Sequence, residues 1–121
     1  MTYFSNIQTL GAEYTTAQTD TIIVTISATQ KIIVTEITAT VDEAVTVNGV
    51  GFYIGMGTPA TPTAAGVILS HPGLMPGMTT SRGSGAGNIG TGDFNEDLRI
   101  TSENPVGGAL RITVSYFIEE T

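Results

Sequence analysis

The chain has 121 residues, room for one domain with a modest core and too few for two ordinary ones. Cysteine is absent, which excludes a disulfide framework, a thiolate metal site and a thiol nucleophile. The formal net charge is −7, and the basic residues Lys31, Arg82, Arg99 and Arg111 are scattered, so direct nucleic-acid binding and an anionic membrane surface are excluded as partners.

Only 12% of residues are charged, against a typical value of about 25%. Polarity comes instead from Thr, Ser, Asn and Gln. Threonine is β-branched, fits a pleated sheet and tolerates water. With 15 Gly, the composition reads as sheet plus turns. The first six residues lack the basic-then-apolar pattern of a secretory signal, and no apolar run is long enough to span a bilayer.

In chain order, residues 1–19 read as an N-terminal arm with a possible short strand, anchored by Tyr3, Phe4, Ile7, Leu10 and Tyr14. Residues 20–29 alternate, with Ile22, Val24, Ile26 and Ala28 on one side. In 31–41, Ile33, Ile37, Ala39 and Val41 share one face while Ile32 and Val34 fall on the other. Such a two-faced strand is expected to be central, or to be covered by a partner subunit. Residues 44–56 predict a strand, a turn at Asn48-Gly49 and a second strand through Val50, Phe52, Ile54 and Met56. Gly51 and Gly55 on its other face predict close approach of a neighbour.

A Pro-rich loop over 57–65 and a short strand over 66–70 precede a long loop, 71–95, rich in Gly, Pro, Ser and Met. A connection of that length in a compact domain is usually functional or mobile. Residues 96–103 alternate again, 104–108 has turn chemistry, and 109–118 alternates most cleanly, with Leu110, Ile112, Val114, Tyr116 and Ile118 on one face. No window holds a 3.6-residue period. The fold expected is all-β: a single-domain, antiparallel, jelly-roll-like β-sandwich of about seven or eight strands. The arm would occupy 1–19 and the sandwich 20–121.

Chemistry-bearing constellations are weak. His71 is the only histidine and opens a loop, a poor place for the base of a triad. Asp93, Asn95 and Asp97 have the spacing that opens a calcium loop, but Leu98 stands where Gly is needed and Asn104 where the bidentate Glu belongs. The Gly-rich stretch 83–88 lacks the Lys of a phosphate loop and reads as a flexible loop. The acid pairs Asp42-Glu43, Glu96-Asp97 and Glu119-Glu120 are adjacent in sequence and diverge, unlike the facing carboxylates of a glycosidase. No catalytic residue, cofactor or metal site is expected, and the chain is not expected to be an enzyme. What remains is apolar material without an evident core role: Tyr3, Phe4, Leu74, Met75, Met78 and Phe117. These residues either close the ends of the sandwich or form an interface.

The C-terminal third carries a resemblance. Gly92-Asp93, then Glu96 through Glu103, then Pro105 through Tyr116, a strand, Gly turn and strand, resembles small structural proteins of tailed phages, including cyanophages, many of them capsid decoration (cement) proteins. The resemblance implies a jelly-roll-like sandwich, commonly a homotrimer, on the outer capsid surface of the virion. The partner would be the major capsid protein, and the function would be to stabilise the shell. On that reading the expected contacts are Tyr3, Phe4 and Ile7 of the arm and Leu74, Met75, Met78 and Arg82 of the 71–95 loop. A second reading is a fibre or tail module that binds host glycan or protein. It is weakened by the absence of Trp and by Tyr and Phe at core positions. A third, a cupin-like enzyme, needs several His ligands where one exists.

Overall fold

The computed structural model describes residues 1–83 and 87–121. Among them lie ten strands: β1 (Tyr3–Phe4), β2 (Gln8–Tyr14), β3 (Gln18–Val24), β4 (Gln30–Val41), β5 (Val50–Met56), β6 (Val67–Leu74), β7 (Thr79–Gly83), β8 (Gly90–Thr91), β9 (Leu98–Ser102) and β10 (Leu110–Glu120). They form two antiparallel sheets. In one, β10 and β4 are central, β1 and β2 flank β10, and β7 and β8 flank β4. The other runs β3-β9-β5-β6. Setting aside the two-residue β1 and β8, eight strands remain, and every connection between them but β5–β6 crosses from one sheet to the other. This is the eight-stranded, double-sheet organisation of a jelly roll.

The core lies between the sheets. β4 and β10 contribute Ile37, Ala39, Val41, Leu110, Ile112 and Val114; β5, β6 and β9 contribute Phe52, Ile54, Ile68, Leu98 and Ile100. The odd pattern of β4 has a local cause. Its pairing with β10 slips by one residue, so that Glu36 faces Ser115 while Val34 faces Tyr116, leaving Thr35 as the extra residue of a β-bulge. A one-residue slip exchanges the two faces of a strand. Ile32 and Val34 therefore join Ile37, Ala39 and Val41 in the core, and no covering subunit is needed to explain them. Thr35 is buried, and its hydroxyl donates to the Ser115 carbonyl at 3.1 Å.

Three expectations fail locally. First, Asn48-Gly49 is not a hairpin turn. Residues 42–49 carry the chain from one sheet to the other, with Val45 buried in passing. A side chain at Gly49 would meet the Gly73 backbone at 3.0 Å, so this glycine serves a close crossing of two segments. Second, β3 ends at Val24, and its register with β9 shifts on either side of Thr21–Ile22. Asp20 sits at φ 47°, its carbonyl accepting from Arg99 Nη1 at 3.0 Å. That irregularity turns Ile22 outward and lays Ile23 against the core. Third, the stretch expected as one long loop over 71–95 holds the end of β6, all of β7 and all of β8. The flexible loop read over 83–88 falls partly on residues 84–86, outside the described residues. Gly55 does what its position predicted: an added Cβ would stand 2.6 Å from the Gly66 carbonyl oxygen.

The arm at 1–19 is largely sheet. β1 and β2 together run antiparallel along β10, and between them residues 5–7 oppose only 117 and 118, a second bulge. Ser5 anchors it: its N–H donates to the Ile118 carbonyl, and its hydroxyl accepts from the Ile118 N–H, both at 2.9 Å.

The Thr35 bulge makes a testable assignment. Ile32→Ala is expected to cost about 2–5 kcal/mol, as Ile37→Ala does, because both empty a core site. Thr38→Ala, on the outer face, should stay within about 0.5 kcal/mol. Urea denaturation of the three variants checks this, and an Ile32→Ala effect as small as that of Thr38→Ala would refute the bulge.

Candidate functional site

The structure sorts the seven expected contact residues into distinct places. Tyr3 and Phe4 project from β1 at one end of the larger sheet, 61% and 60% exposed, with Ile7 exposed in the bulge beside them. Phe4 meets Phe117 edge to face, with centroids 6.1 Å apart and planes at 64°, a favourable aromatic arrangement. Phe117 lies opposite Ile33 in the β4–β10 ladder. Phe94 is exposed at the same end, with Lys31 Nζ 4.6 Å above its ring. A shallow cleft of about 270 Å³ opens among Tyr3, Phe4, Gln8, Gln30, Ile118 and Glu120.

Met75 and Met78 stand at the opposite end. Met75-Pro76-Gly77-Met78 is a turn: the Met78 N–H donates to the Met75 carbonyl at 3.0 Å, and Gly77 takes φ 79°, as position i+2 of a type II turn requires. The turn is bonded to the end of β4 through Gly77 N–H to Val41 O and Val41 N–H to Met78 O. Both methionines are exposed, 58% and 55%, as is Val106. β1 pairs with the strand ends Glu119 and Glu120, which lie opposite Lys31 and Gln30, whereas the Met turn sits at Val41. Twelve residues of β4 separate the two ends, about 35 Å at the usual rise per residue.

Leu74 does not belong to either surface. β6 extends through it, it pairs with Val50, and its side chain is 4% exposed within the core. Arg82 is exposed on β7, but its guanidinium is engaged, donating from Nη1 to the Ile68 carbonyl at 2.7 Å. Since β7 and β6 belong to different sheets, that bond fastens one sheet to the other. Phe94 and Val106 were missed by sequence reasoning. Each sits in a polar turn and has no strand period to reveal it.

The cleft with the most mixed chemistry lies elsewhere, on the smaller sheet. It measures about 360 Å³ and is lined by Phe52, Tyr53, Pro62, His71, Ser102 and Glu103 among others. His71 and Ser102 flank Phe52 across the β6-β5-β9 ladder. Nδ1 of His71 accepts from the Gly73 N–H at 3.0 Å, which leaves the proton of the neutral ring on Nε2. Glu103 is committed to the Gly51 N–H at 2.6 Å. The Ser102 hydroxyl is buried and has no hydrogen-bond partner among the described residues. Asp97, the third member of the calcium-like spacing, accepts from the Ile26 N–H at 2.7 Å and pairs with Arg99 at 3.3 Å. No three His, Asp or Glu side chains among the described residues converge as a metal would require.

No protein-family model matches the chain, and no curated protein does. Solved structures do match. A chain in the acidic stable capsid structure of Helicobacter pylori bacteriophage KHP30 superposes with a TM-score of 0.65 at 15% identity, over 100% of this chain and 99% of that one. A chain in the capsid of Ralstonia phage GP4 superposes with a TM-score of 0.50 at 10% identity, over 92% of this chain and 83% of that one. At such identities the likeness is one of fold: this chain has the β-sandwich found, end to end, in a chain of one phage capsid and, less closely, in a chain of another.

Proposed function

We propose that this chain is a structural protein of a phage virion that decorates the outside of the capsid and stabilises it by binding the major capsid protein. The observation that carries the reading is the correspondence of fold with a chain of a phage capsid, over 100% of this chain and 99% of that one. The charge supports an outer position, because a chain of net charge −7 is repelled by packaged nucleic acid. The role is non-enzymatic. The fold shared with chains of two phage capsids supports that reading.

The mechanism is mechanical and follows mass action. A ligand that binds only the assembled shell stabilises it by about 2.7 kcal/mol per site at a hundredfold excess over Kd. The two exposed apolar ends are the contact surfaces: Tyr3, Phe4 and Ile7 with Phe117 and Phe94 at one, Met75 and Met78 with Val106 at the other. Their separation lets one molecule touch two capsid subunits, so that opening the shell must break contacts at both ends. Such two-point attachment raises affinity by about 10²–10⁴ over either contact alone.

A second reading, a fibre or tail module that binds host glycan, rests on the cleft at His71, Ser102 and Tyr53. A glycan array with specific hits that vanish in Ser102→Leu would favour it over capsid decoration.

Deleting residues 1–7 is expected to abolish capsid binding in a co-sedimentation assay and to leave the thermal midpoint within a few degrees, because every residue from 1 to 9 is exposed. Full capsid occupancy by the truncated protein would exclude the N-terminal surface. Met75→Ser combined with Met78→Ser removes the second contact and should weaken binding by about 10² or more. Unchanged affinity would mean that attachment is through one end alone.

A further inference from the structure

A β-sandwich has sheet edges, and an edge presents unpaired N–H and C=O groups that another strand can take up. Among the described residues, most edges here are blunted. β3 carries two register shifts and Asp20 in the left-handed region. β6 contains Pro72 and shifts register twice against β5. The β7/β8 edge is split into strands of five and two residues, and β7 ends on Gly83 at φ 90°.

β2 is different. Its seven residues, Gln8-Thr9-Leu10-Gly11-Ala12-Glu13-Tyr14, pair with β10 in seven consecutive positions without a shift. It contains no Pro, Lys or Arg, the usual residues that discourage edge pairing. Its one charge, Glu13, is already matched within the chain by Arg111 at 3.4 Å.

We propose that β2 is a self-association edge, where a second copy of this chain adds its own β2 antiparallel about a twofold axis at Gly11. The sequence of the strand argues for that occupant. Gly11 is the middle of the seven residues, so a twofold there pairs the whole strand. The opposing residues become Gly11 with Gly11, Leu10 with Ala12, Thr9 with Glu13, and Gln8 with Tyr14. No like charges face each other, and the facing Glu13 and Thr9 suit a charge-assisted hydrogen bond. Residues directly opposite in an antiparallel pair lie on the same face of the sheet. The half-buried stripe of Leu10, Ala12 and Tyr14 therefore continues into the same stripe of the second copy, and the exposed face of Thr9, Gly11 and Glu13 continues into its own counterpart. A side chain at Gly11 would meet nothing within 4 Å, so the monomer has no need of glycine at that point. In the paired state the two Gly11 Cα atoms stand about 4.5–5.5 Å apart, as in any antiparallel pair, so a side chain introduced there reports directly on the pairing. This inference does not rest on capsid binding.

Sedimentation equilibrium over a range of concentrations tests it. The wild-type mass should rise with concentration from 12.6 kDa toward twice that value. Gly11→Lys sets two lysines against each other at the axis and should hold the mass at one chain, with an unchanged thermal midpoint. Since the chain has no other cysteine, Gly11→Cys gives an independent measurement. The Cα separation falls within the disulfide range of about 4.4–6.8 Å, so mild oxidation should yield a linked dimer. Thr113→Cys, one strand further in, should stay monomeric under the same oxidation. A wild-type mass of one chain at every concentration, a mass of three chains, or a dimer that survives Gly11→Lys would overturn the proposal. Failure of Gly11→Cys to cross-link more than Thr113→Cys would do the same.

Discussion

One inserted residue decides which side chains of the central strand pair meet the second sheet. Without Thr35, the ladder between β4 and β10 would keep Ile33 in line with Ile37, Ala39 and Val41, and Ile32 and Val34 would face outward. With it, the strand changes face midway. Ile32 and Val34 enter the core at full burial, and the outer face of that end receives Lys31 and Ile33 instead. Phe117 lies across from Ile33, Phe4 packs on Phe117, and Lys31 sits over Phe94. The aromatic end of the molecule is thus a consequence of the bulge. The bulge leaves no buried hydroxyl unsatisfied, because the Thr35 hydroxyl donates to the Ser115 carbonyl beside the slip.

How much of this was legible in the sequence depends on where each segment sits in the sheets. β9 and β10 declare themselves by period two, because one side of each faces the core and the other faces solvent. β4 is equally clear as a strand, but its faces could not be sorted, since a bulge leaves no mark on composition. β2 and β7 are edge strands built largely from Thr, Ser, Gln and Gly. Their pairing comes from β10 and β4, distant in sequence, and their own residues carry little of the signal. In the sequence Leu74 reads as loop material because Pro72 and Gly73 precede it, yet β6 runs through all three. The Asn48-Gly49 pair had hairpin chemistry, but in this topology the strand before it lies in the other sheet.

The candidate surfaces show the same division. Tyr3, Phe4, Met75 and Met78 are identifiable in the sequence as apolar residues without an evident core role, and they are exposed. Their placement at opposite ends of β4 follows only from the topology. Arg82 and Leu74, drawn from the same stretch, are tied into the body of the sandwich. Arg111 plays a comparable part on the other side. It pairs with Asp42 in the crossing segment and with Glu13 on β2, so one guanidinium connects the edge strand, the central strand and a loop. Of the four basic residues in the chain, three make such internal ties, against eleven carboxylates and a formal net charge of −7.

The crossing pattern of the connections also governs how the chain reaches this state. Among the eight long strands described, only β5 and β6 are both neighbours in sequence and partners in a sheet. Every other ladder joins segments far apart along the chain; β2 and β10 are its two extremes. Loop-closure entropy must be met before such pairings return any enthalpy, and rates fall steeply as contacts become less local. Folding therefore starts most cheaply at the β5–β6 hairpin and is completed when the two ends of the chain come together on β10. The edge that bears the N-terminal contact residues is the last to close, and a nascent chain still lacking β10 has no place to put it.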